Sequence, residues 1–190
     1  MGNTALYPEN SVESIVSAAQ SGVSFVEFDL YMTLDGEIVT THHNTPNGFF
    51  SYPENFTGLT EEQQAENNEK KVTERYWYGD LEYLISDHDP GKQIGMKRLH
   101  EIYEAVDTEY PNLFLHHELK DYRIETINRT IAIMERYDMR RRSGLICFDP
   151  VVVEYTNSMG ISSHYITAPG TANTPNRAAV TEIYNRPVNS

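Results

Sequence analysis

The feature that most constrains this chain is the regular exchange of helix-like and strand-like segments through its second half. Leu99, Ile102 and Tyr103 fall at helical spacing, "LFLHHELK" at 113–120 reads as a strand, and Ile124, Ile127, Ile131 and Met134 mark another helix. "SGLICFD" at 143–149 is strand-like, and "PVVVEYTNSMG" is a helix with Pro150 in its first turn and Gly160 as its stop. "ISSHYIT" gives a further short strand, "APGTANTP" a loop, and residues 176–185 a terminal helix. Strands separated by helices pair in parallel, so the pattern predicts an α/β fold with a largely parallel sheet.

The first half begins in the same way and then departs from it. Val12, Ile15, Val16 and Ala19 predict a helix over 11–21, opened by Asn10 or Ser11 and closed by Gly22. A strand over 24–32, a turn at "LDG" and a second strand over 37–43 make a hairpin. Residues 45–93 then turn to Asn, Glu, Gln and Tyr, with no apolar period in "TEEQQAENNEKK". A stretch of that length is too long for a passive loop, so it reads as a lid or small inserted subdomain whose core is "WYGDLEYLI". The organisation expected is one domain over 1–190 with this insertion.

Composition narrows the partners. A formal net charge of -13 argues against a nucleic-acid backbone as ligand, because phosphate binding needs clustered Lys and Arg. An anionic substrate would then need a local reversal of the field, which a carboxylate-bound divalent cation supplies. No window reaches the apolar length of about 20 residues needed for a transmembrane helix, and the first residues lack a signal-peptide layout. The single cysteine, Cys147, lies in an apolar run and reads as a buried, inert thiol. A soluble chain in a reducing compartment such as the cytoplasm is the expectation.

Within the hairpin, Glu27 and Asp29 are two apart on one strand and so share a face. Glu118 and Lys120 share a face in the same way, and His42 lies at the end of the second predicted strand. In α/β folds the chemistry gathers at the carboxyl ends of strands, and buried charges there must be paired or metal-bound. Three carboxylates, Glu27, Asp29 and Glu118, therefore suggest an oxygen-ligand site for Mg²⁺ or Ca²⁺. His116 shares the Glu118 face and is a weaker candidate for the same site. "DHD" at 87–89 reads as a solvated turn, and Arg140, Arg141 and Arg142 as caps of the preceding helix dipole.

These elements resemble, in order and spacing, the signature of the glycerophosphodiester phosphodiesterase family, a (β/α)₈ TIM barrel. Pro8-Glu9-Asn10 with Ser11, Glu27-x-Asp29, the Thr33-x-Asp35-Gly36 turn and His42 match its N-terminal pattern; Glu118-Leu119-Lys120 and "CFDP" at 147–150 match later segments. The resemblance implies metal-dependent hydrolysis of a small-molecule glycerophosphodiester to glycerol 3-phosphate and an alcohol. It assigns Glu27, Asp29 and Glu118 as metal ligands, His42 as one of two acid–base histidines and Lys120 as a phosphate ligand, with residues 45–93 as a lid that selects the alcohol. Glu9 would be structural support. Three departures accompany it. The family's His-Arg-Gly would end at Gly2, so its first catalytic histidine has no counterpart here, and His43 replaces the Asp that follows the family's histidine. No "WTVN"-like closing strand is present either. The expectation is an incomplete barrel of roughly six strands in place of eight, prone to self-association through its open edges and impaired in catalysis, or alternatively a non-catalytic remnant that binds metal and phosphate esters.

Overall fold

The structure, a computed structural model, describes residues 2–166; the loop at 168–175 and the helix expected over 176–185 lie outside them. The described elements are, in chain order, α1 (Val12–Gln20), β1 (Phe25–Met32), β2 (Ile38–Thr40), β3 (Phe50–Ser51), α2 (Glu61–Glu69), β4 (Ile85–Ser86), β5 (Lys97–Arg98), α3 (Leu99–Val106), β6 (Phe114–Leu119), α4 (Ile124–Arg136), β7 (Ser143–Cys147), α5 (Pro150–Ser158) and β8 (Ser163–Tyr165). Six strands form one sheet in the order β5-β2-β1-β6-β7-β8. The run β1-β6-β7-β8 is parallel, whereas β2 is antiparallel to both β1 and β5. Among the described residues the sheet does not close on itself, and β5 and β8 are its outer strands. This is an α/β sheet of TIM-barrel type that stays open among the described residues.

The apolar spacing of the helices explains which face they cover. Ile15 of α1, Leu99, Ile102, Tyr103 and Val106 of α3, and Ile127, Ile131 and Met134 of α4 recur every three or four residues and form one stripe per helix. They bury themselves against Val26, Phe28 and Leu30 of β1, Leu115 and Leu119 of β6, and Leu145 and Cys147 of β7. Alternate residues of those same strands point the other way and leave a polar face. No helix among the described residues is long and apolar enough to cross a membrane.

Three local expectations change. The second strand of the hairpin stops at Thr40: Thr40 donates its hydroxyl to the Asn10 carbonyl (2.8 Å), and the Thr41 amide is held by the Asp29 carbonyl (3.2 Å), so His42 stands in a loop beyond the sheet. "EEQQAENNE" is the helix α2 although none of its residues is buried. A capping box in which Thr60 and Gln63 satisfy each other's backbone amides starts it, two glutamates favour its positive end, and an i,i+4 pair of Glu66 and Lys70 adds support. The core of the inserted region is also wider than "WYGDLEYLI". Tyr52 and Val72 join Trp77, Leu81 and Leu84, with Phe50, Phe56 and Leu59 at the margin, and this cluster packs on Val39, Tyr31 and Met96.

The hairpin tip fastens that region to the sheet. Gly36 takes a left-handed φ of 83°, which turns the chain back, and Asp35 accepts from the Thr33 hydroxyl (2.6 Å) and from the amides of Trp77 (2.9 Å) and Tyr78 (3.3 Å). Arg75, 1% exposed, donates to Asp80 and to the Tyr52 hydroxyl (2.8 Å), while its own carbonyl accepts from Leu34.

Candidate active site

Parallel pairing of β1 with β6 sets Asp29 beside Glu118 and Glu27 beside His116. Because the helices occupy one face, the alternation sends Glu27, Asp29 and Glu118 to the other, where their carboxylate oxygens lie within 4.8 Å of one another. Asp29 is 1% exposed and Glu118 8%. Lys120, just past the end of β6, reaches back with its Nζ 3.2 Å from Asp29 and 2.5 Å from Glu118. Burial pushes the Glu27 carboxyl above its ordinary value, and repulsion from Asp29 and Glu118 adds to it. Burial opposes the charge on Lys120, yet its bonds to Glu118 and Asp29 outweigh that and raise it overall. The Lys120 ammonium thus sits between Asp29 and Glu118, beside an all-oxygen donor set suited to a hard divalent cation.

Asn10 locks this cluster to the start of α1. Its side chain donates to Asp29 Oδ2 (3.1 Å) and accepts from the Asp29 amide (3.2 Å), which its left-handed backbone (φ 62°) makes possible. Asn is among the few residues that adopt this conformation at small cost. The loop carrying Lys120 is fixed in turn by Asp121, which accepts from Arg123 and from the Thr126 hydroxyl (2.6 Å).

His42 stands in a second group. Its Nδ1 is 3.6 Å from Glu9, and Glu9, His42 and His43 bring ligand atoms within 4.8 Å of one another. The ring of His43 lies 4.7 Å from that of His42 and stacks on Phe49 at 3.6 Å and 12°. Burial, aided by neighbouring His42, lowers the His43 pKa, so the ring is neutral near pH 7. These residues line a cleft of about 700 Å³, walled by the loop containing Tyr7 and Glu9 on one side and by Phe49, Phe50, Asp87 and His88 on the other. Asn10 lines the cleft as well as holding Asp29, and so joins the two groups.

The sequence reading therefore finds Glu27, Asp29, Glu118 and Lys120 in one cluster, and His42 in the adjoining one. It undervalues Glu9, whose carboxylate faces the His42 ring. It reads Asn10 as a helix cap and a motif residue without its bond to Asp29, and it gives no role to His43 or Phe49. Asp87 and His88 line the cleft from an exposed turn, as expected for "DHD", and Asp87 accepts a hydroxyl bond from Ser51 (2.6 Å). His116 shares the carboxylate face but sits one step earlier on β6, among Phe25, Phe114 and His164; Gly144 on β7 makes room, since a Cβ there would be 3.2 Å from the His116 ring. His117 points into the helix-side core between the Tyr103 hydroxyl (2.9 Å) and the Gly144 carbonyl (3.0 Å), and burial lowers its pKa to about 4. Cys147 is buried with its pKa pushed up to about 11, as an inert thiol should be. Arg140 and Arg142 bridge elements instead of capping: Arg140 binds Glu135 and the Met159 carbonyl, and Arg142 binds Asp107.

Comparison with known proteins gives a partial family match and a likeness of fold. Residues 1–80 match the Glycerophosphoryl diester phosphodiesterase family. The match takes in the Pro8-Glu9-Asn10 segment, both β1 carboxylates, the hairpin turn and His42. Solved structures carry the likeness of fold beyond residue 80. A glycerophosphodiester phosphodiesterase from Thermotoga maritima is 18% identical with a TM-score of 0.65, over 95% of this chain and 65% of that one. An Oleispira antarctica phosphodiesterase, solved in complex with the product sn-glycerol-3-phosphate, is 18% identical with a TM-score of 0.68, over 96% of this chain and 69% of that one. A glycerophosphodiester phosphodiesterase from Parabacteroides distasonis is 19% identical with a TM-score of 0.63, over 83% of this chain and 58% of that one. This chain therefore spans about two thirds or less of the length of these family structures. No curated protein sequence gives a significant match.

Proposed function

We propose that the chain hydrolyses a glycerophosphodiester to glycerol 3-phosphate and an alcohol, using a divalent ion, Mg²⁺ or Ca²⁺, held by Glu27, Asp29 and Glu118. The observation that carries this reading is the convergence of those three carboxylates, two of them buried, beside the loop of His42. When bound, such an ion polarises a phosphate oxygen and offsets its charge. The protein's own groups supply the rest. Glu9 at Nδ1 orients His42, leaving Nε2 to give a proton to the departing alcohol oxygen. Lys120, already placed among the carboxylates, contributes a positive charge for a phosphate oxygen. Residues 1–190 are taken as one barrel-type domain in which residues 45–93, rooted on Val39 and Asp35, form one wall of the cleft over the site.

The sequence given contains no His or Arg before His42, whereas the family pattern that it resembles pairs that histidine with a second one. Losing one such group lowers the rate by about 10² to 10⁴-fold. The same observation favours a second reading, a remnant that binds metal and phosphate esters without turning them over. Release of glycerol 3-phosphate from glycerophosphocholine separates the two. Slow, metal-dependent turnover that His42→Ala abolishes, and that an N-terminal extension restoring His-Arg accelerates, supports hydrolysis; metal-dependent binding with no turnover in either form supports the remnant. Self-association belongs to the same proposal, since Phe25 (55% exposed) and Phe114 leave an aromatic floor under the carboxylates that a closed barrel would cover. Sedimentation velocity that finds only monomer at high concentration would remove that part.

A further inference from the structure

We propose that Glu9, His42 and His43 form a second metal site, separate from the carboxylate cluster, which takes a borderline transition ion such as Zn²⁺ and silences His42 while the ion is bound. Binding at these residues is independent of the phosphodiesterase reading; the silencing of turnover rests on it.

Consecutive histidines on a strand point to opposite faces. Here β2 ends at Thr40 and the Thr41 hydroxyl donates to the His43 carbonyl (3.2 Å), so the chain turns, and both rings line one cleft with their centres 4.7 Å apart. Glu9 meets them from the loop before α1, its carboxylate 3.6 Å from His42 Nδ1, and one ligand atom from each of the three lies within 4.8 Å of the others. Tetrahedral ligands held about 2.1 Å from an ion stand about 3.4 Å apart. The Glu9–His42 edge is near that length already, and the remaining edges close by rotation of side chains that are half-buried and not locked in the core. The His43 ring is steadied by its stack on Phe49 (3.6 Å, 12°), and its nitrogens have no hydrogen-bond partner among the described residues.

The donor set decides the class of ion. Two imidazoles and one carboxylate suit Zn²⁺ and its neighbours, whereas Mg²⁺ and Ca²⁺ favour the all-oxygen cluster of Glu27, Asp29 and Glu118. The second imidazole is peculiar to this chain, since His43 stands where the family pattern has Asp. Glu9 and Asp87 line the cleft and its described lining has no Lys or Arg, so a cation enters without repulsion, and the open cleft leaves a fourth position for water. A neutral imidazole has one lone pair and one N–H. Once the lone pair of His42 is given to an ion, the ring no longer takes up a proton, and its remaining N–H is not released near neutral pH, so proton transfer through it stops.

The test titrates Zn²⁺ by calorimetry into the chain in saturating Mg²⁺, which competes for the carboxylate cluster, and repeats the titration on His43→Phe, Glu9→Gln and Glu27→Gln, each checked for folding by circular dichroism. His43→Phe keeps a ring to stack on Phe49 and removes only the nitrogens. The expected result is one Zn²⁺ per chain, bound at least about tenfold more weakly by His43→Phe and by Glu9→Gln, since losing even a group that orients a ligand weakens metal binding about 10- to 100-fold. Glu27→Gln should leave this binding unchanged. Co²⁺ in place of Zn²⁺ should give the intense visible absorption of a four-coordinate ion, lost in His43→Phe. No Zn²⁺ binding by the Mg²⁺-saturated parent, or binding that Glu27→Gln weakens and His43→Phe does not, overturns the site. In turnover of glycerophosphocholine with Mg²⁺, Zn²⁺ that fills the site should slow the parent about 10²-fold or more, as loss of a proton-transfer group does, and His43→Phe should need proportionately more Zn²⁺ for the same effect. Zn²⁺ that fills the site without slowing turnover overturns the silencing. If Zn²⁺ binds as expected while the ester is not cleaved with or without it, the metal site stands and the hydrolytic reading fails.

Discussion

The two faces of β1 and β6 use the same strands for opposite purposes. On the helix side Val26, Phe28, Leu30, Leu115 and Leu119 are buried in a continuous apolar core, and even its histidine, His117, is kept neutral by burial. On the other side, one residue along in each case, Glu27, Asp29 and Glu118 crowd together with one lysine among them. Burying apolar surface stabilises a fold, whereas gathering like charges in a poor solvent costs stability. The first face thus holds the protein together and the second is held in place by it, which is the usual division between scaffold and site.

That contrast can be broken by substitution. Phe28→Ala, on the scaffold face, should lower the unfolding free energy by about 3–5 kcal/mol, read from urea denaturation followed by circular dichroism. A loss below 1 kcal/mol would show that this face is not the stabilising one. His117 gives the next largest effect. Its folded pKa of about 4 lies below the ordinary value of 6.5, so the unfolded chain takes up a proton that the folded chain refuses. The stability is full above pH 6.5 and falls by about 3 kcal/mol as the pH drops toward 4, at about 1.4 kcal/mol per pH unit. Denaturation midpoints at pH 7 and pH 4.5 should converge more in His117→Asn than in the parent, and parallel losses in both would contradict the assignment.

Smaller effects belong to the joints. Asp35→Ala should cost about 1 kcal/mol and speed amide exchange at Trp77 and Tyr78, which its carboxylate holds. Burial raises the Asp35 pKa, but the hydrogen bonds from Thr33, Trp77 and Tyr78 lower it further. Its contribution is therefore present at neutral pH and lost as the pH falls through the acidic range. Glu27→Gln, on the site face, should change stability least, by about 0.5 kcal/mol or less, and toward greater stability because it removes one of three crowded charges. A large destabilisation would make Glu27 part of the scaffold.

How much of this was legible in the sequence follows from what each feature depends on. The alternation of β6, α4, β7 and α5 is written in local apolar periods, and Glu27, Asp29, Glu118 and Lys120 could be placed on one face because strand geometry has a period of two. The helix α2 was hidden because it is stabilised by caps and charges and buries nothing. The spread of the second core, from Tyr52 to Met96, depends on contacts distant in sequence. The partnership of Glu9 with His42 and of Asn10 with Asp29 was invisible for the same reason. It arises where a loop folds back across the strand ends, and no periodicity reports that.

The central claim is that the polar face of β1 and β6 is a divalent-cation site. Calorimetric titration of Mg²⁺ and, separately, Ca²⁺ into the parent chain and into Glu27→Gln tests it most directly. The account predicts one bound ion in the parent and at least about tenfold weaker binding in the variant, a difference of about 1.4 kcal/mol. Equal binding by both chains, or no binding of either ion by the parent, would contradict it.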